Sequence, residues 1–138
     1  MTAKDLIHDA VRAALVKDGW TITDDPLTIE YEDVRVYADL AAERPVSDQR
    51  DGRRIVVEIK SFVSPSPVFD LELAIGQYEL YRCMLQLTGS DQALYLAVSS
   101  ATHENVLGGA AVEMVLNRLR IALLIVDVEK QEVVKWTS

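Results

Sequence analysis

The segment Ile55-Val56-Val57-Glu58-Ile59-Lys60 constrains the fold most, because it carries two charged side chains within an otherwise apolar run. A short run rich in isoleucine and valine predicts a β-strand. Side chains alternate between the two faces of a strand, so Glu58 and Lys60 share one face while the odd-numbered apolar residues share the other. Charged groups are costly to bury unless they are paired or bound to something. The run therefore predicts a central strand that carries either an ion pair or a binding site.

A second strand is predicted from Val34 to Leu40, with Asp39 on the face that also carries Arg35 and Tyr37. If Asp39 converges with Glu58 and Lys60, the two carboxylates can hold Mg²⁺, and the lysine can orient or deprotonate water and offset developing charge. Metal-assisted hydrolysis of a phosphodiester requires such an arrangement. A cross-strand salt bridge between Asp39 and Lys60 explains the same residues without any chemistry. Both interpretations stay open on these strands alone.

The segment from Asp70 to Leu87 predicts a helix, since its polar residues recur at helical spacing. We expect Leu73, Ala74, Leu80, Tyr81, Met84 and Leu85 to face inward. Gln77 falls in the middle of that face, and an unpaired buried amide costs roughly 1–3 kcal/mol, so Gln77 should face the sheet or a cleft beside it. Tyr81 lies one turn further and can reach the same place, or it can be an ordinary core aromatic.

The remaining pattern predicts a mixed α/β (α+β) fold with a central β-sheet flanked by helices, in one domain over residues 1–138. A first helix should begin at a capping box formed by Thr2 and Asp5 and should end at Gly19. The other predicted elements are strands at 20–23, 27–31, 93–99, 121–127 and 132–136, a loop at 44–53, and a helix at 106–116.

Charge limits the ways in which this chain can bind nucleic acid. The net charge is −8, whereas stand-alone DNA-binding domains usually carry a basic patch. Four arginines in the predicted loop could bind phosphate beside the site, or they could be ordinary loop charges: Arg44, Arg50, Arg53 and Arg54. The acidity suggests that a partner protein supplies DNA contacts, or that the chain is itself a protein-interaction module.

Cysteine count and hydropathy restrict the class further. Cys83 is the only cysteine, which excludes an intramolecular disulfide and a zinc site of the Cys/His type. No apolar run approaches the roughly 20 residues that cross a bilayer, and no signal peptide is visible. We therefore expect a cytoplasmic protein that does not associate with membranes.

The order Asp39, Glu58-Ile59-Lys60 and then Gln77-Tyr78-Glu79-Leu80-Tyr81 resembles the PD-(D/E)xK nuclease superfamily. Segments along nearly the whole chain are similar to the XisH family, the fdxN-element excision controlling factors of cyanobacteria. These segments are Ala3-Lys4-Asp5 with His8, 17–23, 25–29, 39–44, 57–62 and 94–98.

The resemblance implies a restriction-endonuclease-like core and a role in DNA rearrangement, the site-specific excision of a DNA element. By that resemblance Asp39 and Glu58 would bind Mg²⁺ or Mn²⁺, Lys60 would be the catalytic lysine, and Gln77 with Tyr81 would assist. His8 could hydrogen-bond a site carboxylate from the first helix, or be structural. Ala38 stands where the superfamily has a proline.

Two functions follow from the resemblance. The chain is either a metal-dependent nuclease-like enzyme acting on DNA, or a non-catalytic accessory protein that keeps the nuclease fold and binds a XisI-type partner. Intact Asp39, Glu58, Lys60 and Gln77 favour the enzyme, and the acidic charge favours the accessory protein. Assembly into a homo-oligomer is compatible with both.

Overall fold

The computed structural model describes residues 2–46 and 49–137. In chain order the elements are α1 (Ala3–Lys17), β1 (Thr21–Asp24), β2 (Leu27–Tyr31), β3 (Val34–Ala38), β4 (Leu40–Val46), β5 (Gln49–Ile59), α2 (Pro67–Leu87), β6 (Ala93–Ser99), α3 (Ser100–Asn105), α4 (Ala110–Arg118), β7 (Leu123–Asp127) and β8 (Glu132–Trp136). No helix in these ranges has both the length and the apolar character needed to cross a bilayer.

The main sheet contains six strands in the order β1-β4-β5-β6-β7-β8. The central pairs β5–β6 and β6–β7 are parallel, and the outer pairs are antiparallel. One face of the sheet packs against α1, and the other packs against α2, α4 and the separate β2–β3 hairpin. The predicted fold class, a mixed central sheet flanked by helices, is confirmed.

Both long helices begin at hydroxyl caps that the sequence carries. The Thr2 hydroxyl accepts a hydrogen bond from the Asp5 amide at 3.1 Å, as the capping box predicts. The chain leaves α1 through Gly19, whose φ of +92° lies in the left-handed region that glycine tolerates. Ser66 caps α2 by accepting from the Phe69 amide at 3.2 Å, and Pro67 follows at the first turn.

The predicted loop at 44–53 is wrong for residues 44–46 and 49–53, because β4 and β5 occupy these residues and pair antiparallel. Arg44 pairs with Arg53 and Glu43 pairs with Arg54, continuing the register of the buried part of the two strands. Exposed charged residues are compatible with a strand end that projects beyond the core.

The predicted helix at 106–116 is confirmed from residue 110, where α4 begins, but its predicted start is wrong. Residues 106–109, which include Gly108 and Gly109, separate α4 from the short helix α3. A Cβ on Gly108 would lie 2.7 Å from the carbonyl oxygen of Glu104, so only glycine lets the chain pass this close to the backbone of α3.

The inward face of α2 is centred differently from our expectation. Ala74, Tyr81, Met84 and Leu85 are buried as predicted, together with Tyr78. Leu73 and Leu80, in contrast, are 48% and 46% exposed and lie on the outer side of the helix. Apolar residues occur on both sides of α2, so helical periodicity did not identify the side that meets the sheet.

The buried hydroxyl of Tyr78 connects α2 to the sheet. It donates to the Leu94 carbonyl at 2.9 Å and accepts from the Ala122 amide at 3.2 Å. Tyr78→Phe should lower the free energy of unfolding by about 1–3 kcal/mol, because it leaves these two backbone groups without the hydroxyl as partner. Urea denaturation measures the change, and Tyr37→Phe at an exposed ring should stay within about 0.5 kcal/mol of the wild type. Equal effects of the two substitutions would contradict this role of Tyr78.

Candidate functional site

The register of β4 and β5 explains why Asp39 and Glu58 meet. Leu40 pairs with Val57 and Ala41 with Val56, so continuing this antiparallel ladder by one residue sets Asp39 opposite Glu58. Opposed residues of an antiparallel pair lie on the same face of the sheet.

Asp39 itself lies in a bend between two strands, so the predicted single strand from Val34 to Leu40 is wrong. β3 ends at Ala38 and belongs to the small hairpin, while β4 starts at Leu40 and belongs to the main sheet. Ala38 packs in the cluster beneath α2, whereas Leu40 packs in the cluster beneath α1. The chain changes sheets at Asp39, which ends the alternation that the sequence implied.

Two reciprocal hydrogen bonds hold the carboxylates in place. Oδ2 of Asp39 accepts from the Ile59 amide at 2.7 Å, and the Asp39 amide donates to Oε1 of Glu58 at 3.2 Å. Each carboxylate is therefore attached to the backbone beside the other one. Such attachment fixes both groups before any ligand arrives, which is what a preorganised site requires.

The electrostatics of Glu58 are unusual. Its side chain is almost fully buried, and its pKa is raised to about 8, chiefly by burial and also by the hydrogen bond and charge of Asp39. The ammonium of Lys60 lies 3.7 Å from Oε2 of Glu58 and acts in the opposite direction. One lysine at this distance only partly offsets two adjacent carboxylates, so Glu58 retains its proton near neutral pH.

Tyr81 belongs to the same group of residues. The pKa of Tyr81 is raised to about 12, chiefly by burial and then by the charges of Glu58 and Asp39. The phenol therefore stays protonated at physiological pH. Tyr81 can act beside the carboxylates as a hydrogen-bond donor, and it is unsuited to act as a base.

Gln77 lies one helical turn before Tyr81, on the same side of α2. Its Oε1 is buried and has no hydrogen-bond partner among the described residues. Leaving such an acceptor unpaired costs roughly 1–3 kcal/mol, so the amide is suited to a donor from outside the chain, such as water or substrate.

A cavity of about 250 Å³ opens beside Lys60. Its wall includes Lys4 from α1, Ser61 and Ser64 from the segment after β5, and Asp70 from α2. Lys4 has no ion-pair partner within the described ranges, so the cavity is lined by two ammonium groups, of which that of Lys60 is paired with Glu58, and by the Asp70 carboxylate. Lys4 was not among the predicted site residues, since no local pattern in the sequence places the first turn of α1 near the end of β5.

The structure does not bring His8 to the carboxylate pair. Nε2 of His8 lies 2.9 Å from Oδ1 of Asp25, and Arg12 binds the other oxygen of the same carboxylate. These contacts fasten α1 to the turn between β1 and β2. Of the residues proposed to assist, Gln77 and Tyr81 lie on the helix face described above, whereas His8 has a structural contact.

The arginines are also displaced from the site. Arg44 binds Asp18, Arg54 binds Asp91, and Arg53 donates to the Tyr95 hydroxyl. Arg44 and Arg53 each stand five residues along their strands from the carboxylates, which is roughly 16 Å. The expectation that this cluster lies beside the site is therefore wrong for these residues, while the side chain of Arg50 lies outside the described part.

Comparison with known proteins identifies the family. A sequence model described as XisH protein matches residues 1–134. The chain belongs to the XisH family. A solved XisH family protein from Nostoc punctiforme PCC 73102 is 35% identical, with a TM-score of 0.88 over 97% of this chain and 100% of that chain. An fdxN element excision controlling factor protein from Anabaena variabilis is also 35% identical, with a TM-score of 0.86 over 97% of this chain and 99% of that one. No curated protein matches the chain.

The carboxylate pair of this XisH family member fits a hydrated divalent cation. Within residues 2–46 and 49–137 no three aspartate, glutamate, histidine or cysteine side chains form a metal-binding group. Mg²⁺, however, usually keeps several waters and takes only one or two carboxylates from the protein. The half-buried Asp39 and the buried Glu58, whose pKa is raised by burial and by the adjacent Asp39, form a donor set of that kind.

Proposed function

We propose that this XisH family protein is an excision controlling factor that acts on DNA phosphodiesters as a metal-dependent nuclease. The observation that carries the proposal is the pair formed by the buried Glu58 and the half-buried Asp39, held by reciprocal backbone hydrogen bonds with Lys60 beside it. Two carboxylates and a lysine in this order also resemble the PD-(D/E)xK superfamily. The chain's similarity to the Anabaena variabilis excision controlling factor supports the biological setting.

Each residue of the site has a part in this proposal. Mg²⁺ or Mn²⁺ held by Asp39 and Glu58 would supply Lewis-acid stabilisation of the phosphate. Lys60 offsets charge on the phosphate and orients water, Tyr81 donates a hydrogen bond, and the free Oε1 of Gln77 accepts one. Lys4 adds a second ammonium group to the wall of the adjoining cavity, where the DNA phosphate would lie.

Metal binding can be tested without any nuclease assay. Saturating Mn²⁺ should raise the melting temperature of the wild type, because a ligand at 100 times its Kd stabilises the folded state by about 2.7 kcal/mol. Asp39→Asn keeps an oxygen that can accept from the Ile59 amide but lacks the charge, so we expect no such rise. Scanning calorimetry of the two proteins makes the measurement.

Asp91→Asn is the matched control, because Asp91 is an exposed carboxylate paired with Arg54 away from the site. It should respond to Mn²⁺ as the wild type does. An equal rise in the wild type, Asp39→Asn and Asp91→Asn would place the metal elsewhere and contradict the proposal.

The second candidate function is a non-catalytic accessory protein that retains the nuclease fold and binds a XisI-type partner. Its support is the net charge of −8, together with the pairing of Arg44 and Arg54 to acidic neighbours. Both arginines are thereby partly neutralised, which weakens their use as phosphate contacts. The partner would then provide the DNA-binding surface.

A further inference from the structure

The cavity beside Lys60 is lined by groups of three chemical kinds. Val63 and Leu73 provide apolar surface, and Asp70 provides a hydrogen-bond acceptor. The ammonium groups of Lys4 and Lys60 provide positive charge. The volume of about 250 Å³ lies slightly below the range of about 300–1,000 Å³ that is usual for ligand pockets. A cavity of this size suits one small group, such as a single nucleotide, and is too small for a length of duplex.

The wall of the cavity after β5 is fixed by local contacts. The Ser64 amide donates to Oδ2 of Asp70 at 3.1 Å, and the Ser64 hydroxyl donates to the Ser66 carbonyl at 3.0 Å. Phe62 has a φ of +51°, in the left-handed region that bulky residues rarely adopt, and it packs against the core beneath α2. Backbone held in such a conformation is typical of binding sites. The wall is therefore formed before a ligand arrives, as selective recognition requires.

The chemistry of the cavity does not suit a bare phosphate. A phosphate gains from the two ammonium groups, but it gains nothing from Val63 and Leu73 and is repelled by the Asp70 carboxylate. A nucleobase is complementary to these other groups, because its faces stack on apolar side chains and its edge carries N–H donors. A whole nucleotide uses all three kinds of group, since its phosphate also meets the ammonium groups.

Only a nucleotide outside the double helix can use the cavity in this way. Inside a duplex both faces of a base are stacked on its neighbours, and its pairing edge is bonded to the opposite strand. A base must leave the stack before its faces reach Val63 and Leu73 or its edge reaches Asp70. Leaving the stack costs least for a base that is already unpaired.

We propose that this cavity binds one unpaired nucleotide beside the phosphodiester to be cut, so that the protein selects DNA in which a nucleotide is bulged, mismatched or single-stranded. Lys60 connects the two places, because its ammonium group lies 3.7 Å from Oε2 of Glu58 and also lines the cavity. This substrate class rests on the proposed function, since the cavity adjoins the carboxylate pair.

Binding without cleavage isolates recognition of the base. Three duplexes of one sequence are compared in EDTA: one fully paired, one with a single bulged adenosine, and one with a single bulged abasic residue. Both bulges interrupt the duplex, but only the first offers a base to the cavity. Fluorescence anisotropy should show the adenosine bulge bound at least about 10-fold more tightly than the abasic bulge, as expected for one stacked base.

Matched variants locate the base in the cavity. Val63→Ser with Leu73→Ser removes apolar surface from the wall, so this double variant should lose the preference for the adenosine bulge and bind the abasic bulge as the wild type does. Val68→Ser with Leu80→Ser makes the same two exchanges outside the cavity, at residues 65% and 46% exposed against 67% and 48%. It should keep the full preference. Thermal melts check that both double variants remain folded.

Cleavage tests the same preference at the phosphodiester. With Mg²⁺ or Mn²⁺ the wild type should cut beside the adenosine bulge at least about 10-fold faster than it cuts the paired duplex. Val63→Ser with Leu73→Ser should cut the two at rates within about 3-fold of each other. Free dAMP should bind at least about 100-fold more weakly than the bulged duplex, because it lacks the flanking DNA phosphates.

Each contrary outcome has a distinct meaning. Equal affinity for the three duplexes, or a preference that survives in Val63→Ser with Leu73→Ser, would overturn the role of the cavity and leave the proposed nuclease function in place. Loss of the preference in Val68→Ser with Leu80→Ser would overturn that role as well. Binding of dAMP as tight as that of the bulged duplex would assign the cavity to a free nucleotide. Failure to bind or cut any of the duplexes would contradict the nuclease function together with its substrate class.

Discussion

Replacing Glu58 by glutamine is expected to raise the free energy of unfolding at pH 8, in metal-free buffer, by as much as roughly 4 kcal/mol. The buried carboxyl of Glu58 has a pKa raised from its ordinary 4.5 to about 8, and each pKa unit corresponds to about 1.4 kcal/mol. Glutamine preserves the shape of the protonated acid, and its oxygen can still accept from the Asp39 amide. At pH 4 the two proteins should be nearly equally stable, because the wild type is then protonated in both states.

The direction of this pH dependence follows from how many protons the folded and unfolded states bind. Between pH 4.5 and about 8 the folded protein retains the Glu58 proton that the unfolded chain has released. The free energy of unfolding of the wild type therefore falls as the pH rises through this window. Above about pH 8 the contribution of Glu58 no longer changes with pH. Urea unfolding of both proteins at several pH values, in the presence of EDTA, gives the difference directly.

A suitable control is Glu30→Gln, since Glu30 is an exposed carboxylate on β2. It should leave the pH dependence of the wild type in place. If the free energies of unfolding of the wild type and Glu58→Gln changed in parallel between pH 4.5 and about 8, the raised pKa of the buried Glu58 carboxyl would be contradicted. Mg²⁺ should reduce the difference at pH 8 if it binds the ionised pair, because a cation favours loss of the proton.

Lys60→Ala is expected to lower metal-dependent DNA cleavage about 100-fold or more while leaving the protein folded. The ammonium is a preorganised charge beside the carboxylates, and removing such a group typically has an effect of this size. Lys60 lies at the cavity rather than in the apolar core, so its removal should not unfold the chain. Cleavage of duplex, branched and single-stranded DNA with Mg²⁺ and with Mn²⁺ provides the measurement.

Lys135→Ala is the matched control, because Lys135 is an exposed lysine on β8. It should cleave DNA at the rate of the wild type. The accessory function gives the opposite pattern: no DNA is cut by the purified wild type, and a stable complex with a XisI-type partner survives Lys60→Ala. That pattern would contradict the nuclease proposal, whereas partner-independent cleavage lost in Lys60→Ala would contradict the accessory one.

Much of the site could be predicted from local periodicity. The two-residue alternation of a strand places Glu58 and Lys60 on one face, and the structure has their charged groups 3.7 Å apart. Helical spacing likewise places Gln77 and Tyr81 on one side of α2. The capping box at Thr2 identified where α1 begins, since capping depends only on residues within one turn, whereas the cap of α2 at Ser66 lies four residues before the predicted start at Asp70.

Other features depended on which surfaces meet, and periodicity does not contain that information. α2 has apolar residues on both sides, so the sequence allowed Leu73 and Leu80 to be assigned inward, whereas Tyr78 takes the inward place. The contacts of Arg44 with Asp18 and of Arg54 with Asp91 join residues far apart in the chain, so only the folded structure shows them.

Asp39 combines both kinds of information. Its residue type and its order before Glu58 were visible in the sequence, but its contact with Glu58 required the register of β4 against β5. The chain passes from one sheet to the other at Asp39, so this residue lies in a bend and not in the predicted strand. Its carboxylate accepts a hydrogen bond from the Ile59 amide. Residue order alone specifies which chemical groups each element carries. Which of these groups meet depends on the folded chain, because strand register and helix docking are set by contacts between residues far apart in the chain.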